Sequence, residues 1–361
     1  MLNSDIGLSL RMVIVTFIFS IFIVQLMKRV AHHIGAIDIP RSDEGNRHIH
    51  KRPIPKLGGV GIFLAFLFGY MLFGGHSIKM NAILISSFII ILTGMIDDIS
   101  DLRASRQLAA QFVAACIIVF YGKITLTDIT LFNLTITFGM FEQLVTIFFI
   151  IACINVINFT DGLDGLSGGV TSIFYITTAI ICFYQGRLGS LEMTLTLLML
   201  GSTLGFLVHN FYPARIFAGQ CSMFMGFMIS IICLLGFKGT ALTSLFIPLA
   251  ILGLPILDTL FAIIRRALKG EPIFKADKFH IHHQLLGMNF SHRTTVLIIY
   301  LINIMFALTS IFYVLKDAKA AMVIYIILTI IVVWFVCYTN VITDKKPPHL
   351  KEIKEKVLKK K

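Results

Sequence analysis

The segment LVTIFFIIACINVINFTDGLDGLSGG, residues 144–169, opens with an apolar run and passes without a charge into a turn holding Asp161 and Asp164, each followed by glycine. An apolar run of this kind in lipid must satisfy its own backbone N–H and C=O groups, so it is a helix rather than an isolated strand. The same pattern repeats along the chain. Apolar spans fall near residues 12–27, 57–73, 81–96, 107–121, 143–157, 168–184, 194–211, 221–236, 240–258, 295–315 and 320–340. Of the 361 residues 57% are hydrophobic and only 14% charged, against about 25% charged in an ordinary soluble domain. The expected fold is therefore an all-α polytopic integral membrane protein of about eleven transmembrane helices. One membrane domain covers residues 1–340, and a basic tail follows over 341–361.

Lys and Arg set the orientation, because cytoplasmic loops collect them. With the N-terminus outside, the inner segments hold 24 of the 31 Lys and Arg and the outer ones hold seven. The N-terminus is thus expected outside and the C-terminus in the cytoplasm. The net charge of +12 is mostly this topology signal, and no nucleic-acid-binding motif accompanies it. The first span has only Arg11 before it and no small-residue cleavage site after it, which reads as a retained anchor rather than a signal peptide. The six cysteines lie in or beside apolar runs without a CxxC pair, so neither a disulfide framework nor a zinc ribbon is indicated. In the tail, Leu350, Ile353, Val357 and Leu358 recur at helical spacing among lysines. That pattern suits either a basic amphipathic helix on anionic lipid or a solvated tail.

Under this topology the unusual polar residues collect on the inner side. GMIDDISDL brings Asp97, Asp98 and Asp101; the opening segment brings Asn155, Asn158, Asp161 and Asp164. HNFYPARIFAGQ adds His209, Asn210 and Arg215, and LPILDTLFAIIRR adds Asp258. FKADKFHIHHQLLG carries Asp277, Lys278, His280, His282 and His283; RHIHKRPIPKLGG carries His48, His50, Lys51 and Lys56. Each group alone has a plain reading: a wet helix end for Asp97 and Asp98, turn chemistry for the Asp-Gly pairs, and helix packing for Gly58, Gly59 and Gly61. The His cluster lacks the partner spacing of a zinc site. Together they point further. Grouped carboxylates suit Mg²⁺, which commonly bridges protein carboxylates and substrate phosphates, and basic and imidazole groups suit a diphosphate. A transporter would carry ionisable residues near mid-membrane. The interiors of these runs hold no Asp, Glu, Lys or Arg, so that class is disfavoured.

As a set, in this order and across about residues 28–300, these motifs resemble the polyprenyl-phosphate N-acetylhexosamine-1-phosphate transferases. The DKFHIHH loop is similar to the TagO/WecA-type branch. The resemblance implies an enzyme of the bacterial cytoplasmic membrane whose active site faces the cytoplasm. It would move GlcNAc-1-phosphate from UDP-GlcNAc to undecaprenyl phosphate, release UMP, and so begin teichoic-acid or surface-polysaccharide synthesis. It implies Mg²⁺, with Mn²⁺ as the substitute, held around Asp97, Asp98 and Asp161, and it puts Asp97 and Asp98 at the catalytic centre. Asn155, Asn158, Asp161 and Asp164 would line the nucleotide side, and Asn210 would bind substrate. Lys278, His280, His282 and His283 would meet the diphosphate or sugar, and His50 and Lys51 would close the site. Membrane lipid is the surrounding partner, no nucleic acid is expected, and a homodimer is compatible with the sequence.

One motif departs from the pattern. After PARIF the family reads roughly F-x-G-D-x-G-S/A, its Asp being taken as the principal Mg²⁺ ligand; this chain reads IFAGQCSMFMGF, one residue shorter, with Gln220 at the Asp position. A neutral amide oxygen there brings no charge against the metal and diphosphate. Three readings stay open: the other carboxylates hold the ion in a working enzyme, the chain is a silent homologue that still binds UDP-sugar or lipid phosphate, or the sequence is altered at this spot. The intact remainder of the site favours an enzyme.

Overall fold

The computed structural model describes residues 2–39, 52–131, 134–236, 251–268, 270, 280–315 and 318–338. They fall in two compact units, Met1–Pro248 and Leu249–Lys361. The first holds α1 (Leu2–Ile34), α2 (Gly58–Phe73), α3 (Ile78–Ser100), α4 (Ala104–Cys116), α5 (Glu142–Thr160), α6 (Leu166–Tyr184), α7 (Leu191–Asn210) and α8 (Met223–Gly236). The second holds α9 (Gly253–Leu268), α10 (Ile281–Gly287), α11 (His292–Leu315) and α12 (Ala318–Tyr338). Two short antiparallel pairs complete the fold, β1 (Ile37–Asp38) with β2 (Ile54–Pro55) and β3 (Asp128–Leu131) with β4 (Leu134–Thr137).

The all-α membrane architecture expected from hydropathy is what forms. Nine helices among the described residues are long and apolar enough to cross a membrane. The expected span at 57–73 is α2, shorter than these at 16 residues. The span expected at 240–258 lies mostly outside the described residues, as does the basic tail 341–361.

Local chemistry starts and stops these helices. The hydroxyls of Ser77 and Ser190 accept the backbone N–H groups of Met80 and Met193, capping α3 and α7. Inside, buried hydroxyls donate to the carbonyl one turn back, as Thr16 does to Met12, Ser87 to Ile83, Thr171 to Ser167 and Ser202 to Leu198. A polar side chain in an apolar interior is thereby satisfied within its own helix.

In the first unit α7 packs against α1, α2 and α6, while α5 packs against α8. The α1–α7 contact rests on Gly201 and Gly205, four residues apart and so on one face. A Cβ at Gly201 would collide with the Thr16 hydroxyl and stand 2.5 Å from the Val13 carbonyl oxygen. One at Gly205 would stand 2.5 Å from Ser20 Cβ and 2.6 Å from the Phe17 carbonyl oxygen. Close approach lets Ser20 donate across the interface to the Ser202 carbonyl at 2.6 Å, and His209 Nε2 lies 3.0 Å from the Ile21 carbonyl oxygen.

The far ends of α6, α7 and α8 are clamped by Arg187. Its guanidinium donates to the Leu235 and Gly236 carbonyls at the end of α8 and pairs with Glu192 in the first turn of α7. Replacing Gly201 or Gly205 with leucine should overpack the α1–α7 seam at a cost of roughly 1–3 kcal/mol. Thermal unfolding in detergent should show the drop, whereas Gly7→Ala, where a Cβ meets nothing within 4 Å, should leave the midpoint unchanged or slightly raised.

Candidate active site

At the other end of the first unit a single turn gathers the motifs. Gly219–Ser222 forms a tight helical turn leading into α8. It sits in a socket of glycines: a Cβ on Gly59 would stand 2.5 Å from Cys221 Cβ, and one on Gly94 would stand 2.9 Å from the Cys221 nitrogen. The start of α2 is stitched to the same segment, Gly58 N–H donating to the Phe217 carbonyl at 2.8 Å, Gly59 N–H to Ala218 at 3.1 Å, and Phe217 N–H to Pro55 at 2.8 Å. The glycines of the KLGG motif therefore serve close backbone approach, as their helix-packing reading has it.

The turn presents its backbone to Asp98. Gln220 N–H donates to both Asp98 carboxylate oxygens at 3.1 Å. Gly219 has φ +67°, and a Cβ there would run into the Asp98 carboxylate and stand 2.5 Å from the Lys56 carbonyl oxygen, so only glycine fits both the conformation and the space. The Gln220 side-chain oxygen accepts from Asn158 Nδ2 at 3.4 Å, and Ser222 Oγ donates to Asn158 Oδ1 at 2.9 Å. Asp98 at the end of α3, Asn158 at the end of α5 and Gln220 before α8 are thus joined through one turn.

The other expected residues of the first unit also have protein partners for their polar atoms. Asp97 accepts the Leu102 N–H and, at 2.8 Å, Gln107 Nε2, bracing the corner between α3 and α4. Asn155 donates to Gln111 Oε1 and the Ile151 carbonyl, both at 2.8 Å, tying α5 to α4. Asn210 accepts Gly165 N–H at 3.0 Å and donates to the Ile216 carbonyl at 2.9 Å, while Asp164 accepts Ala214 N–H at 2.9 Å. Those three lock the Asp-Gly turn to the loop after α7. Asp161 accepts Ser167 Oγ at 2.5 Å on one oxygen. Burial pushes its carboxyl up to about 6, the Ser167 hydroxyl opposing and the Asp164 charge adding to the rise.

The second unit holds its own polar cluster. Asp258 on α9 accepts His280 Nδ1 at 2.9 Å and Ile281 N–H at 2.8 Å. His280 stacks on His282, ring centroids 5.6 Å apart and planes 2° from parallel, and the His283 ring lies 4.3 Å from His282. His282 Nε2 and Gln284 Oε1 are buried without a hydrogen-bond partner among the described residues. Burial holds His282 far below the usual imidazole range, with the charges of His283, His280 and His292 acting the same way. His50, Lys51 and Lys278, also expected at the site, lie outside the described residues.

Sequence reasoning left unassigned Gln107, Ser167 and Ser222, which orient Asp97, Asp161 and Asn158, and gave Asp258 no partner. Ser167 stands six residues after Asp161 across a glycine turn, a spacing that places a first-turn hydroxyl near the turn's carboxylate. Gln107 carries no comparable signal.

Neutral His282 gives a stability signature. An unfolded chain's imidazole takes a proton below about pH 6.5, whereas the folded His282 does not, so stability holds above that pH and falls as pH drops below it, by up to about 1.4 kcal/mol per unit. Thermal unfolding in detergent from pH 7.5 to 5.5 should show a shallower decline for His282→Gln than for the wild type. Equal slopes would place the proton uptake elsewhere.

Comparison with known proteins matches residues 80–237 to the model of glycosyl transferase family 4. The chain is 38% identical over 355 residues to a probable undecaprenyl-phosphate N-acetylglucosaminyl 1-phosphate transferase of Bacillus subtilis, covering 96% of this chain and 97% of that relative. It is 31% identical over 333 residues to a decaprenyl-phosphate N-acetylglucosaminephosphotransferase of Mycobacterium tuberculosis, covering 82% and 81% of the two chains. It is 27% identical over 291 residues to an undecaprenyl-phosphate alpha-N-acetylglucosaminyl 1-phosphate transferase of Salmonella typhi, covering 78% of each. Near end-to-end similarity at this level, on a multi-helix membrane scaffold, means that the chain belongs to the polyprenyl-phosphate N-acetylhexosamine-1-phosphate transferases of glycosyl transferase family 4 and is a glycosyl-1-phosphate transferase.

Proposed function

We propose that this enzyme transfers GlcNAc-1-phosphate from UDP-GlcNAc to undecaprenyl phosphate, releasing UMP. The step opens teichoic-acid or surface-polysaccharide synthesis at the cytoplasmic face of a bacterial membrane. The observation that carries the reading is the junction at Gln220, where a carboxylate from α3, an amide from α5 and the start of α8 meet at one helix-end surface. A lipid phosphate in the bilayer and a water-soluble nucleotide sugar can meet only at such a surface.

The chemistry asks little of a base. An oxygen of the lipid phosphate, already anionic, attacks the sugar-bearing phosphorus of UDP-GlcNAc; the bond from that phosphorus to the bridging oxygen breaks, and UMP leaves with that oxygen. Positioning and charge neutralisation then dominate. Asp97 serves through the α3–α4 corner that it braces, which leaves Asp98, Asp161 and Asn158 as the polar groups closest to the reacting phosphates.

The donor set fits Mg²⁺ or Mn²⁺. Asp98, Asp161, Asn158 and Gln220 offer only hard oxygen donors, and no three His, Cys, Asp or Glu side chains among the described residues gather closely enough to hold an ion alone. That arrangement suits a cation held by one or two carboxylates together with substrate phosphates. When bound, the ion would offset charge on the diphosphate and the departing UMP. Asp98 and Asp161 would be its protein ligands, with Gln220 contributing an uncharged oxygen.

Purified protein in detergent with UDP-[¹⁴C]GlcNAc, undecaprenyl phosphate and Mg²⁺ should move label into the lipid phase, and EDTA should stop it. Asp98→Asn should lower turnover by about 100-fold or more, in the range of losing a principal electrostatic group. Gln220→Asp should lower the Mg²⁺ concentration needed for half-maximal rate. A wild type that is inert beside an active Gln220→Asp variant would instead favour the reading of a homologue silenced at this turn.

A further inference from the structure

We propose that Lys56 is a substrate-binding residue whose ammonium meets a substrate phosphate beside Asp98. The proposal rests on the transferase reading above and adds to it a protein cation that the reading does not use. Asp98, Asp161 and the phosphates of both substrates together carry more negative charge than one divalent ion offsets. A basic side chain at the same turn supplies the remainder.

The backbone fixes where Lys56 stands. Its N–H donates to the Ala36 carbonyl at 3.0 Å, just before β1, and the preceding Pro55 carbonyl accepts Phe217 N–H at 2.8 Å. Its own carbonyl oxygen abuts Gly219, where an added Cβ would stand 2.5 Å from it. Lys56 is therefore tied to the turn whose Gln220 N–H holds Asp98. From that position its ammonium acts on the Asp98 carboxylate more strongly than the charges of Asp97 or Asp161 do. Among the described residues its ion-pair partner is Asp38 in β1, Nζ lying 3.8 Å from Oδ1, and the Lys56 side chain is 25% exposed. That separation is beyond hydrogen-bond range, and partly exposed pairs contribute little. A phosphate oxygen at hydrogen-bond distance binds an ammonium more strongly. Asp38 thus keeps the cation at the edge of the site until a phosphate takes its place.

Lys56→Met and Lys56→Gln remove the charge, and Lys56→Arg keeps it. Thermal shifts in detergent report binding without turnover, with UDP read against uridine and undecaprenyl phosphate against undecaprenol. The phosphorylated ligands should stabilise the wild type beyond their phosphate-free counterparts. The neutral variants should need about 10-fold more ligand, or greater, for the same shift, and Lys56→Arg should recover most of it. A loss with UDP alone assigns Lys56 to the donor diphosphate; a loss with undecaprenyl phosphate alone assigns it to the lipid phosphate. Transfer from UDP-[¹⁴C]GlcNAc should show the same loss as a raised KM for that substrate. Asp38→Asn, which removes the competing carboxylate, should bind at least as tightly as the wild type. Neutral variants that bind both ligands normally, a loss shared by Asp38→Asn, or a change confined to the Mg²⁺ requirement would overturn the proposal. A wild type that binds UDP but transfers nothing would overturn the transferase reading alone. One that neither phosphorylated ligand stabilises would overturn both.

Discussion

The backbone of Gly219–Ser222 lies so close to its neighbours that no side chain fits between them. Gly59 and Gly94 bring two helices against it, and Gly219 brings it against Asp98. Much of the candidate site follows from that contact. It places a backbone N–H where a carboxylate at the end of α3 can accept it, and it sets Gln220 and Ser222 against Asn158 on α5. Carboxylates grouped near a membrane surface would otherwise repel one another and seek water. Here the Gln220 N–H in the turn before α8, and the Ser167 hydroxyl beside Asp161, meet them within the protein.

The same demand for satisfied polar groups is met between chain segments throughout this end of the first unit. Asn155 and Asn210 each bridge two chain segments, and Asp97 and Asp164 hold backbone N–H groups. These residues form a rigid frame around the smaller set of Asp98, Asn158, Asp161 and Gln220. Rigidity of this kind matters for phosphoryl transfer, where misplacing a reactant by about an ångström can cost about 100-fold in rate. In the second unit Asp258 pairs with His280 and holds the backbone N–H of Ile281.

Much of this architecture was legible in the residues. Apolar runs mark helices in lipid because the backbone has no other partner, and 57–73, 168–184 and 221–236 correspond closely to α2, α6 and α8. The alternation of spans also predicts that the ends of α3, α5 and α7 share one side; hydrogen bonds join Asp98, Asn158 and Gln220 there, and Asn210 at the end of α7 accepts Gly165 N–H from the turn after α5. The division of labour among the polar residues was not legible. Asn155 looks like any amide in a polar motif, and only its contact with Gln111, 44 residues away in sequence, shows it to be a brace. Spacing along a chain records which residues share a helix face; it says nothing of acceptors brought in from another helix.

Arg187 gives the α8 helix a mechanical character. Its guanidinium holds the last carbonyls of α8, while the turn that leads into the same helix is wedged among glycines and hydrogen-bonded to Asp98. A rod fixed at both ends can neither slide nor rotate to absorb a change at either one. A change in the turn before α8 must therefore be taken up within the turn itself, in the left-handed Gly219 and the residues beside it. Drift in that stretch of sequence is felt first at Asp98 and Asn158.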